Sequence, residues 1–162
     1  MGNIKITIIS VGRIKEQYLE DAIREYSKRL SKYCSLDFVE VQDEKAPENM
    51  SEKEIESLKE KEGMKIIKNI KDRQYVIVLE IKGKQTTSEE VAYFLNNLSV
   101  QGKSEIVFII GGSLGLAKEV LARADYKLSF SKLTFPHQLM KVILLEQIYR
   151  SFKIIKGEPY HK

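Results

Sequence analysis

The chain has no tryptophan, one cysteine, two histidines and three prolines in its 162 residues. The single Cys34 excludes an internal disulfide framework. One thiol with two imidazoles cannot make a recognisable zinc site, so no metal is expected. No apolar run approaches the ~20 residues needed to span a bilayer, and no signal peptide is visible. At the start, Met1-Gly2-Asn3-Ile4-Lys5-Ile6 places Ile6 where an acylation pattern wants Ser or Thr. A cytoplasmic, membrane-free protein is the expectation. Gly111-Gly112-Ser113-Leu114-Gly115 lacks both the G-x-G-x-x-G spacing of a dinucleotide site and the Gly-Lys-Ser/Thr of a P-loop. Ser113 and Ser131 have no evident His–carboxylate partners, which leaves a hydrolase triad little support.

What is present is ordinary in bulk and uneven in distribution. Hydrophobic residues make up 43% and charged residues 31%, the composition of a globular chain. The length suits one domain spanning residues 1–162, large enough to bury roughly 70% of its unfolded surface. The net charge of +4 is not evenly spread. Residues 40–62 carry nine acids and four bases, whereas residues 127–162 carry seven bases and two acids. Such asymmetry points to nucleic acid at the C-terminal end, although on charge alone a solvated helix face is the better account.

Strand and helix patterns alternate along the chain. Ile4–Val11 reads as a strand ending at Gly12, and residues 16–33 place apolar side chains at helical spacing. Leu36–Val41 is a second strand, followed by an acidic loop containing Pro47. Ser51 with Glu54 forms a capping box for a helix to about Ile70, with Gly63 a weak point inside it. Tyr75–Leu79 reads as a buried strand giving way to Lys82-Gly83-Lys84. Thr87 with Glu90 is a second capping box, opening a helix through Leu98. Ile106–Ile110 is a strand apolar on both faces, as a parallel sheet covered by helices requires. A short helix near 117–123, a strand near 126–130 and a helix from about 137 to 155 complete the chain. The order predicts an α/β sandwich with a mostly parallel sheet flanked by helices.

The last helix is apolar nearly all round, and such a helix must be covered nearly all round. A homodimer interface is the expected second cover, with Ile148 and Tyr149 at the seam. His137, after Pro136, is expected to cap or orient this helix. The tail Gly157-Glu158-Pro159-Tyr160-His161-Lys162 ends on an aromatic ring, an imidazole and a cation, suited to base stacking, proton handling and phosphate contact.

As a set, Gly111–Leu116, Leu128–Gln138, Glu146–Phe152 and Gly157–Lys162 closely resemble the bacterial large-subunit methyltransferase H family. The likeness extends to Ile4–Tyr18 and to Asp43-Glu44-Lys45-Ala46-Pro47-Glu48. Members of that family methylate N3 of a pseudouridine in 23S ribosomal RNA and belong to the SPOUT class. The resemblance implies a SPOUT-type α/β knot, with a trefoil-knotted C-terminal region, working as a homodimer. It implies S-adenosyl-L-methionine held by Leu79, Gly111 and Gly115 and by Phe130, Ser131, Lys132, Leu133, Thr134 and Phe135. It further implies catalytic roles for His161 in proton handling, Tyr160 against the base and Arg150 beside the imide or a phosphate, with the tail completing the partner's pocket. Ribosomal RNA or the ribosome is the implied partner. Two rivals are a non-catalytic ribosome- or RNA-binding module of the same fold and a small-molecule methyltransferase.

Overall fold

The computed structural model describes residues 3–161. Met1-Gly2, on which the acylation reading rests, and the terminal Lys162 lie outside the described residues. Ten elements alternate: β1 (Lys5–Val11), α1 (Gln17–Leu30), β2 (Ser35–Val41), α2 (Glu52–Ile67), β3 (Tyr75–Gln85), α3 (Ser88–Val100), β4 (Glu105–Ile110), α4 (Lys118–Arg123), β5 (Tyr126–Ser129) and α5 (His137–Lys156). The five strands form one sheet in the order β2-β1-β4-β3-β5, and every pairing is parallel. The sandwich expected from the sequence is the one observed.

The apolar run in β4 serves both faces of this sheet. Ile106, Phe108 and Ile110 join the cluster containing Leu30 of α1, Leu95 and Leu98 of α3, and Leu144, Leu145 and Ile148 of α5. Val107 and Ile109 join the opposite cluster with Ile66 of α2 and Val120 of α4. Gly63 is a close-packing position rather than a weak point. A Cβ there would lie 2.9 Å from the Cβ of Ala117, so the glycine lets α2 meet the start of α4.

Three local readings need correction. The box at Ser51 is complete, with Glu54 N–H bonded to the Ser51 hydroxyl and the Glu54 carboxylate returned to the Ser51 N–H. At Thr87 only half of it forms: the hydroxyl accepts from Glu90 N–H, but the Glu90 carboxylate takes the Thr86 hydroxyl instead. β3 does not stop at Leu79. Both Leu79 and Lys84 pair with Leu128, so residues 80–83 are pushed out of the ladder as a bulge. A side chain at Gly83 would meet the Lys127 carbonyl at 2.7 Å, which is why a glycine closes this bulge.

The third correction concerns α5. Ile148 and Tyr149 lie in the chain's own core, at 1% and 8% exposure, and offer no free face to a partner. The half-buried apolar side chains of α5 are Met140, Val142, Ile143, Ile154 and Ile155, with Leu139 exposed.

Candidate functional site

A cleft of about 250 Å³ opens at the C-terminal ends of β3, β4 and β5, where a parallel sheet presents its ligand sites. Leu79, Gly111, Gly115, Phe130, Ser131, Leu133, Thr134 and Phe135 all line it, so eight of the nine anticipated cofactor residues come together. Lys132 is the exception and is solvent-exposed, not part of the lining. Glu80, Ile81, Ser113, His137 and Met140 line the cleft without having been anticipated as cofactor residues. Glu80 and Ile81 arrive there because the β3 bulge carries them over the opening, and Gly83 was the one signal in the sequence for it.

Main chain shapes much of the cleft. Gly115 has φ +83°, in the left-handed region where glycine carries no side-chain penalty. A Cβ on Gly111 would stand 3.0 Å from Leu116 Cδ2, and one on Gly112 would stand 2.9 Å from Val11 Cγ1. The second loop is held by its own serines. The Ser129 hydroxyl donates to the Ser131 carbonyl at 3.1 Å, and the Ser131 hydroxyl accepts from Leu133 N–H at 3.0 Å. Apolar walls with main chain between them fit an adenosyl group: Leu79, Leu133 and Phe135 can cover ring faces while amides and carbonyls read the edge. Among the described residues no group of His, Cys, Asp and Glu could hold a metal ion.

Behind the glycine loop lies a buried acid. Glu62 is 2% exposed; its Oε2 accepts from Glu44 N–H at 2.9 Å while Oε1 has no donor partner. Burial raises its pKa, and Asp43 beside it raises it further. Asp43 in turn reaches to 3.6 Å from where a Gly112 Cβ would be.

Arg150, Tyr160 and His161 also come together, but elsewhere. Gly157 adopts φ +66° as the left-handed cap of α5 and turns the tail back along the helix. Tyr160 then donates to Glu146 Oε2 at 2.7 Å, and Arg150 bonds the same carboxylate at 2.7 Å. The Arg150 guanidinium lies 4.7 Å from the Tyr160 ring centroid. Burial and the bond to Glu146 both push the Tyr160 phenol well above its usual range, so it remains a donor. The bond to Glu146 also raises Arg150. Arg150 meets His161 Nδ1 at 3.1 Å, and His161 Nε2 meets Glu89. Because a guanidinium can only donate, Nδ1 accepts and Nε2 carries the hydrogen toward the carboxylate. Both ring nitrogens are thereby engaged. Glu89 is held below its usual carboxylate range, first by its own backbone N–H and then by His161.

The cleft meets the first turn of α5, at His137 and Met140, and the cluster lies on its second half, at Glu146 and Arg150. His137, in that first turn, lines the cleft, and among the described residues no side-chain capping bond forms at this end of α5, so the capping half of the role expected for it is not seen. Arg150 is thirteen residues further along, about 20 Å at 1.5 Å per residue.

This is a compact α/β fold whose ligand cleft is built from loops at the ends of three neighbouring parallel strands. The family model described as "Predicted SPOUT methyltransferase" matches residues 4–161, and the chain belongs to that family. It is 65% identical over 159 residues to "Ribosomal RNA large subunit methyltransferase H" of Clostridium beijerinckii, covering 98% of this chain and all of the relative. The protein of that name from Clostridium kluyveri is 60% identical over the same coverage. A "Putative ribosomal RNA large subunit methyltransferase H" of Methanococcus maripaludis is 63% identical, again over 98% of this chain and the whole of the relative.

Proposed function

We propose that this chain transfers a methyl group from S-adenosyl-L-methionine to N3 of a pseudouridine in 23S ribosomal RNA. We place it in the cytoplasm as a homodimer whose tails serve each other's clefts. The single observation that carries the arrangement is that Arg150, Tyr160 and His161 are bonded to Glu146 and Glu89 and none of them lines the cleft. An isologous pair of α5 helices can exchange tails and so bring one chain's tail to the other's cleft. The relatives' shared name supports ribosomal RNA as substrate. The half-buried apolar side chains of α5, Val142 and Ile143 among them, supply a face for the pairing. The trefoil knot expected of the class belongs to the same reading.

The donor supplies an electrophilic sulfonium methyl, so the chain's residues have only to orient the acceptor and handle its proton. In this proposal Leu79, Leu133 and Phe135 pack the adenosyl group while the Gly111–Gly115 main chain borders it. Tyr160, kept protonated by Glu146, donates to or packs on the base. Arg150 stabilises the developing imide anion, which a cation does better than a neutral group. His161 accepts the imide proton after Nδ1 is released from Arg150.

Methyl transfer from labelled donor to ribosomes lacking this modification tests the activity. Incorporation at one pseudouridine is expected. RNA or subunit binding that does not depend on donor, with no incorporation, would favour the non-catalytic module instead.

A further inference from the structure

A second cleft adjoins the first and is nearly three times its size, about 730 Å³. It lies beyond the C-terminal ends of β1 and β2, and His137 lines both. Its floor is specific. Gly12 takes φ +92° at the end of β1, and a Cβ there would stand 3.2 Å from Gln138 Nε2 and 3.5 Å from His137 Nε2. The missing side chain lets the first turn of α5 close over the strand end. Gln138 also reaches the Arg13 carbonyl at 3.3 Å, tying the loop after β1 to the helix.

The charges around this cleft are not balanced in use. Arg13, Lys15 and Lys45 line it, and among the described residues none of the three makes an ion pair. Of its three acids, only Glu40 has a cation facing it, the buried Lys141 ammonium. Asp43, beside the buried acid Glu62, keeps its charge, and Glu16 makes no ion pair. Three free cations against these two carboxylates leave a surplus of one positive charge. The rest of the lining is largely polar, with Gln42 and Gln138 each offering an amide donor and acceptor. Free cations with amides beside them suit a phosphodiester chain and its base edges better than an apolar peptide.

We propose that this second cleft holds the single-stranded RNA immediately flanking the acceptor nucleotide, with Arg13, Lys15 and Lys45 on its phosphates. His137 forms the wall across which the acceptor base passes toward the donor. This rests on the RNA methyltransferase reading. It adds a substrate track on the same chain as the donor cleft, whereas the tail comes from the partner.

The test uses Arg13→Glu, Lys15→Glu and the double variant, all on exposed side chains, with Lys45→Glu as a third probe. Two readouts are taken against large ribosomal subunits lacking the modification: KM in methyl transfer, and direct binding as a function of salt. Donor affinity is measured separately by calorimetry. The double variant should raise KM at least tenfold and flatten the log–log salt slope by about 1.4, the expectation for two lost contacts to a single strand. Donor affinity should stay within twofold. Unchanged KM and salt slope overturn the proposal. So does a tenfold loss of donor affinity, which would give the cleft to the donor's amino-acid end. A wild-type protein that binds subunits through these residues but transfers no methyl overturns the function and leaves the cleft assignment standing.

Discussion

At the His137 end of α5 the site is made of main chain and apolar walls, with glycines at the positions where a side chain would collide. At the Arg150 end, five polar side chains from three segments hold one another by hydrogen bonds, and Glu146 is the shared acceptor. The first kind of site tolerates little change of volume. The second is exposed to both charge and pH. In the proposed reading, a donor that brings its own electrophile needs only the first, and a proton that must leave needs the second. Their separate places along one helix are then expected to let each be altered without the other.

The largest expected effect comes from removing residues 158–162. Methyl transfer should fall below detection, at least 1,000-fold, while calorimetric donor affinity stays within twofold. Truncation also removes Glu158 from Tyr33 and Tyr160 from its edge-on contact with Tyr149, so the melting temperature should drop by several degrees. Next is Gly111→Arg. Its Cβ already meets Leu116 at 3.0 Å, so the rest of the side chain must enter the cleft. Donor binding should be lost by 100-fold or more with the fold retained, and unchanged affinity would place the pocket elsewhere.

Glu146→Ala sharpens the comparison from the other side. It strips the acceptor from both Tyr160 and Arg150 and should cost about 1–3 kcal/mol of stability. It should lower kcat roughly tenfold to a hundredfold and leave donor affinity alone. His161→Ala should lower turnover less, and raising pH should partly restore it, because the imide ionises unaided as pH approaches its own pKa. A defect independent of pH would assign the ring to positioning. The smallest effect belongs to Glu62. Its folded pKa is raised, so its contribution is complete below the unfolded value near 4.5 and declines as pH rises toward the folded one. Glu62→Gln should remove that decline and stabilise the protein at neutral pH by about 1 kcal/mol, measured by urea titration across pH.

The alternation of elements was legible because each carries its own period: the two-faced apolar run of β4, the helical spacing of α1, the box at Ser51. Seven of the eight lining residues were legible through two family motifs, since Gly111–Gly115 and Phe130–Phe135 are each contiguous in sequence, and the eighth, Leu79, through the end of the apolar β3 run. What stayed hidden depends on partners distant in sequence. The bulge at residues 80–83 exists because Leu79 and Lys84 compete for Leu128. The Asp43–Glu62 pair spans a loop and a helix, and Ile148 reads as an interface residue until Phe108 and Leu95 are seen in the same cluster. Lys132 was carried along by its neighbours in the motif, but motif membership does not fix which way a side chain points. The half-formed box at Thr87 fails because Thr86, one residue earlier, offers Glu90 a competing hydroxyl.

The central claim is that a working site takes its cleft from one chain and its tail from another. Mixing two inactive variants tests it: Gly111→Arg, with a blocked cleft and an intact tail, and the protein lacking residues 158–162, with the reverse. After unfolding together and refolding, half of the dimers should be mixed, each with one complete site, and activity should return to roughly a quarter of the wild-type rate. A mixture as inactive as its components, with mixed dimers present by mass spectrometry, would show that each tail serves its own chain and would contradict the account.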